Sequence, residues 1–232
     1  MKSSEETLRK RGMAFEEERR LCEGATQSTL LDLVRHGTPS QKSAACECID
    51  INDKDAAKLI LDHLCQEQHL YTRIALCECL ERGNQECAQE MCEYLGKIGS
   101  NQHKVLPEKV SLKKSYPLPR DLIARSLGKM EPSIFPVLLR ELDRDLCEVR
   151  ELIDAIGFMV FYNQELVSDD VAQRLIKLLK DTTDDVLMWK ILLCFSAFPL
   201  PQVHKILQDY AKQDGVIALE AMRSLRILKQ RS

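Results

Sequence analysis

Leu152-Ile-Asp-Ala-Ile-Gly-Phe-Met159 carries the reading of the fold. Its aliphatic residues recur at three- and four-residue intervals, Ala155 and Gly157 keep the spaces between them small, and Asp154 falls on the opposite side. That arrangement describes a helix buried along one stripe. It returns in segments 42–51, 73–82, 120–129, 188–197 and 218–227, which align with 149–158 on Ile49, Leu80, Leu127, Ile156, Phe195 and Leu225. The anchors are spaced by 31, 47, 29, 39 and 30 residues. The short spacings suit an antiparallel helix pair with its turns, and the two long ones carry insertions. An internal repeat of this length is the mark of a stacked architecture.

The columns behave as one buried face. Four before the anchor stand Ala45, Leu76, Ile123, Leu152, Ile191 and Ala221, and three before stand Cys46, Cys77, Ala124, Ile153, Leu192 and Met222. One before the anchor every residue is small: Cys48, Cys79, Ser126, Ala155, Cys194 and Ser224. A column that stays small predicts close helix–helix approach. Two before the anchor stand Glu47, Glu78, Arg125, Asp154, Leu193 and Arg223, a mostly charged column that should face solvent. Partner helices are predicted over 28–35, 53–66, 84–98, 132–142, 168–180 and 201–213. Pro132 and Pro201 suit first helical turns, Ser168 a cap, and His36-Gly-Thr-Pro39 a stop and restart. A charged helix over 5–22 should cover one end.

Ile123-Ala-Arg-Ser-Leu-Gly-Lys-Met130, Leu152 to Met159, Arg73-Ile-Ala-Leu-Cys-Glu-Cys-Leu80 and Ala221-Met-Arg-Ser-Leu-Arg-Ile-Leu228 resemble HEAT repeats, especially the short bacterial repeats related to those of phycobilin lyases. The family's second helix is Ala-rich and ends in Leu-Gly. Here Cys replaces Ala in the first two repeats, and only Gly128 and Gly157 keep the glycine. The resemblance covers residues 25–229. It implies an all-α protein, a right-handed α-α superhelix (α-solenoid) of about six helix pairs, as one domain over 1–232 with a capping segment at 1–24 and an insertion at 99–119. It also implies that the second helices line the concave face, so Glu47, Glu78, Arg125 and Asp154 become candidate partner-binding residues.

Composition narrows the function. Lys and Arg total 33 against 36 Asp and Glu, and 44% of residues are apolar. That excludes a disordered chain and lacks the basic excess of a general nucleic-acid binder. No apolar run approaches the roughly 18 to 20 residues of a membrane span. With no apolar leader at the N-terminus, the ten cysteines read as reduced thiols of a cytoplasmic protein. Cys46, Cys48, Cys77 and Cys79 pair at intervals of two, which places them about 200° apart on a helix; they read as small packing residues and not as zinc ligands. No phosphate loop, nucleophile elbow or metal-binding His pair occurs, so no catalytic residue, metal, cofactor or small-molecule substrate is assigned.

The sharpest local feature is 99–119. From Lys97 to Lys129 eight basic residues oppose two acidic ones. The segment reads either as a partner-binding loop or as a mobile solvated one. On the first reading Lys113, Lys114 and above all Tyr116 touch the partner. Trp189, the single tryptophan, reads as a packing residue, with a stacking platform or partner anchor as its functional alternative. The function predicted is a non-enzymatic scaffold that binds a protein on its inner face and basic insertion. The alternative is a DNA-binding module like the alkylpurine DNA glycosylases built on HEAT-like repeats, against which the acidic inner wall argues. A tetrapyrrole lyase or its chaperone rests on fold analogy alone.

Overall fold

Turn residues cut the chain where its capping chemistry places them. A computed structural model describes residues 4–53 and 55–231; residues 1–3 of the capping segment and Lys54 lie outside it. Among the described residues every regular element is a helix. These are α1 (Glu5–Lys10), α2 (Glu16–Cys22), α3 (Gln27–His36), α4 (Pro39–Cys48), α5 (Ala56–Gln66), α6 (Leu70–Glu81), α7 (Gln85–Cys92), α8 (Leu122–Lys129), α9 (Phe135–Arg140), α10 (Leu146–Tyr162), α11 (Asp169–Asp181), α12 (Asp185–Cys194), α13 (Pro201–Tyr210) and α14 (Gly215–Arg231). Thr38 accepts from the Gln41 amide while the Gln41 side chain accepts from the Thr38 amide at 2.9 Å, and Pro39 follows as the first helical residue. Asn84, Asp121, Ser168 and Asp184 cap α7, α8, α11 and α12, each side chain accepting from first-turn amides. The predicted 84–98 helix is shorter than expected and ends at Cys92.

The chain divides into two compact units, Met1–Ile98 and Gly99–Ser232. In the first, α4 packs between α3 and α6, and α5 packs on α3, α6 and α7. Ala45, Cys46, Ile49, Leu76 and Leu80 are buried at this junction, as the columns require. Cys48 breaks the small-residue column by facing solvent. The single 5–22 helix is corrected to two short ones, α1 and α2, both packed on α4. Gly12 makes the break at φ +90°, where a Cβ would lie 2.8 Å from the Thr72 backbone nitrogen. Any other residue would be strained and would push the corner off α6. Ser43 Oγ donates to the Gly12 carbonyl at 2.6 Å and closes the corner.

In the second unit α8, α10, α12 and α14 lie side by side, while α9, α11 and α13 pack behind α10, α12 and α14. Ile123, Leu127, Leu152, Ile156, Ile191 and Phe195 are fully buried between the helices. Each such side chain removed from water contributes roughly 1.5 to 3 kcal/mol. The alignment fails in α14. Met222 is 43% exposed and the anchor Leu225 is half-buried. The helix is turned so that Ser224 Oγ donates to the Leu192 carbonyl at 2.8 Å and Glu220 and Arg223 face inward.

Candidate functional site

The insertion is largely exposed along its length but is fastened to the helices at several points. It runs as a strap without helix across α8, α10, α12 and α14. Gln102 Nε2 donates to Asp121 Oδ2 at 2.8 Å near its start. His103 meets Trp189 edge-on at 4.8 Å between ring centroids. Arg223 Nη2 donates to the carbonyls of Lys113 at 3.1 Å and Ser115 at 3.0 Å. Pro119 accepts from Arg125 Nε at 3.0 Å, and Asp121 then accepts from the Ala124 amide at 2.8 Å to start α8.

Tyr116 is the central fastening, and its expected role is corrected. It is 3% exposed, clustered with Trp189 and Leu193 and flanked by Leu106, Phe158, Phe161 and Ile217. A partner has no access to its ring. Gly157 explains why: a Cβ there would lie 2.5 Å from Tyr116 Cζ and closer still to its hydroxyl. The glycine of the repeat thus leaves the depression that Tyr116 fills. Trp189 is likewise a packing residue, 5% exposed. The Tyr116 hydroxyl finds no hydrogen-bond partner among the described residues. Tyr116→Phe should therefore leave stability unchanged or raise it by up to about 1 kcal/mol. Thermal melting followed by circular dichroism checks this, and a loss of more than about 1 kcal/mol would reveal a hydrogen bond through that oxygen.

The strap follows the charged column. Glu47 and Glu78, in the first unit, are exposed as expected, and Glu47 pairs with Arg19 at 2.8 Å. In the second unit the expectation of exposure fails. Arg125 is half-buried, while Asp154, Leu193 and Arg223 are buried because the strap covers them. These side chains serve as its contacts.

Beneath the strap lies a cluster of buried charge. Lys190, fully buried on α12, places Nζ 2.8 Å from Glu151 Oε1 and 2.9 Å from Asp154 Oδ2 on α10. One ammonium matches one negative charge, and two carboxyls compete for it. Burial pushes Glu151 up to about 7; Lys190 opposes this and Asp154 adds to it. Burial also raises Asp154, against the pull of Lys190 and Arg120. For Lys190 burial favours the neutral form, but the two carboxylates outweigh it and the ammonium is held above its usual range. Lys190 thus stays charged between two carboxyls that burial raises, Glu151 to about 7. On α14, Arg223 Nη1 pairs with Glu220 at 2.9 Å. Burial raises Glu220, and Arg223 and the Trp189 indole N–H oppose it. No motif in the sequence points to Lys190, Glu220 or His103. The one available signal is a lysine inside the apolar run 186–198, one hairpin after the (i, i+3) acids Glu151 and Asp154.

Two hollows flank the strap. The larger, about 350 Å³, lies against Asp154, Trp189 and Leu193, with His103, Lys109, Ser111, Lys113 and Arg120 as its other charged or polar walls. Burial holds the His103 imidazole down at about 4, helped by Arg120 and Lys190, so it is neutral at pH 7. The smaller, about 130 Å³, lies on the other edge between Leu112, Lys113, Lys114 and the α14 residues Arg223, Arg226 and Ile227. Asp154, Trp189, Tyr116 and Lys113 thus gather in the second unit, with Lys114 exposed at the edge and Arg125 tied to Pro119. Glu47 and Glu78 belong to the first unit.

The four paired cysteines do not gather at one point: Cys46 and Cys79 are buried and hydrogen-bonded to each other, Cys77 is half-buried and Cys48 is exposed. Among the described residues no group of three or more His, Cys, Asp or Glu is placed to hold a metal. No described helix is long and apolar enough to cross a membrane. Compared with known proteins, the chain matches no family model, no curated protein and no solved structure.

Proposed function

We propose that this chain is a HEAT-like module of stacked helix hairpins, forming a right-handed α-solenoid, that binds an acidic protein segment along its strap. The observation that carries the reading is Leu112, 97% exposed, beside Lys113, Lys114 and Arg226 on a backbone that Arg223 holds in place. A large apolar side chain displayed on a fastened segment costs little ordering entropy when it docks. Its burial supplies roughly 2 kcal/mol. The surrounding cations set rate and selectivity for a partner rich in Asp and Glu. The successive helix pairs within each unit support the solenoid reading, and the tied ion pairs under the strap support a binding role over a catalytic one.

A set of labelled peptides tests it, each with one Leu or Phe flanked by Glu and Asp, compared with the Lys-flanked counterparts and with duplex DNA. Acidic peptides should bind with an affinity that falls as salt rises. Leu112→Glu and Lys114→Glu should each weaken binding about tenfold, close to 1.4 kcal/mol. Equal binding of basic peptides, or wild-type affinity in both variants, would refute the proposal. Tight, steeply salt-dependent binding of duplex DNA would favour the nucleic-acid alternative.

A further inference from the structure

We infer that the larger hollow beneath the strap is a binding site for a small organic anion with a flat apolar body, an aromatic carboxylate or aryl phosphate. Its volume of about 350 Å³ falls in the range of small-molecule sites, roughly 300 to 1,000 Å³. The walls already stand in place, because the strap is fastened on both sides of the hollow by Tyr116, Arg223 and Arg125. No partner segment is needed to form it.

The charge of the walls selects the anion. Lys109, Lys113 and Arg120 line the hollow against a single carboxylate, Asp154. That carboxylate already has Lys190 at 2.9 Å. None of the three lining cations has an ion-pair partner among the described residues. Arg120, exposed at the rim, lines the hollow together with His103 and Asp154 and bears on the charge of both. A concave site with surplus positive charge and low-dielectric walls concentrates anions, and a guanidinium pairs with carboxylate or phosphate in two-point geometry. His103, neutral at pH 7, adds a hydrogen-bonding edge without further charge.

The remaining walls select the body of the ligand. Pro107, Pro117 and Leu118 of the strap line the hollow together with Trp189 and Leu193 of α12. Proline rings, leucine side chains and an indole favour a flat apolar body, with the Ser111 hydroxyl and the Trp189 indole N–H as further polar groups of the lining. The inference does not depend on partner binding, since its distinguishing residues are Arg120 and Trp189, whereas that reading rests on Leu112 and Lys114.

Trp189 is the chain's single tryptophan and lines the hollow, so its emission reports occupancy without a label. The full chain is titrated with benzoate, phenylphosphate, benzylamine and inorganic phosphate. Benzoate and phenylphosphate should change the emission saturably. Benzylamine should not, and inorganic phosphate should bind more weakly than phenylphosphate. Arg120→Gln, at an exposed position, should keep the wild-type melting curve and weaken both aromatic anions about tenfold. Leu112→Glu should bind them as the wild type does. The assignment fails if neither aromatic anion gives a saturable signal up to about 10 mM, if benzylamine matches benzoate, if inorganic phosphate matches phenylphosphate, or if Arg120→Gln changes nothing.

Discussion

Lys190→Met lowers the stability of the second unit by about 3 to 5 kcal/mol at pH 7, the range for a buried pair broken on one side. The methionine keeps the length of the stem and removes the ammonium. Glu151 and Asp154 are then left buried with no cation between them. They escape by taking up protons, which makes the loss depend on pH. In the native chain Glu151 already titrates at about 7 in the folded state against an ordinary 4.5. Its contribution to stability is therefore full below about pH 4.5 and is lost as the pH rises through 7. Removing Lys190 raises both carboxyls further. The gap between variant and wild type should be widest near pH 8 and narrow toward pH 5. Urea unfolding followed by far-ultraviolet circular dichroism at the two pH values measures it. A loss below about 1 kcal/mol at pH 8, or a gap that widens in acid, would show that the cluster is solvated and not buried. Adding Glu151→Gln and Asp154→Asn to the variant should recover much of the loss, because no unpaired charge remains.

Gly157→Ala is the second large effect, and its sign is what matters. On helix propensity alone, alanine in the middle of α10 would stabilise by about 1 kcal/mol. The added methyl would, however, stand 2.5 Å from Tyr116 Cζ, so the ring must leave its depression. Loss of a buried aromatic costs about 3 to 5 kcal/mol, and the net expectation is a destabilisation of about 2 to 4 kcal/mol. Trp189 and Leu193 share the cluster with Tyr116, so Trp189 emission should move to the red. In a Tyr116→Ala background the clash is gone, and the same Gly157→Ala change should become stabilising by up to about 1 kcal/mol. A Gly157→Ala change that stabilises with Tyr116 present would mean that the strap does not occupy this face.

The helices of this protein were legible in its sequence because their signals are local. Apolar spacing, Thr38-Pro39, Asn84, Ser168 and Pro201 act within one or two turns and start the helices they mark, although the expected 5–22 helix breaks in two and the 84–98 helix ends early. The depth of Leu127, Ile156 and Phe195 follows from the same periodicity. The strap was not legible. Arg223 reaches the Lys113 carbonyl across 110 residues of chain, and backbone carbonyls leave no trace in side-chain identity. Tyr116 between lysines looks like a surface residue until Gly157 is brought beneath it. Asp154 looks solvated until Lys190, one hairpin later, faces it in the same space. The twist of α14 that exposes Met222 and buries Glu220 has the same origin. Local periodicity therefore determined most of the helices and the burial of every anchor but Leu225. Long-range packing alone decided which part of the charged column is covered, and so where a site could form, because a covering segment and the face it covers are joined by contacts that no interval along the chain encodes.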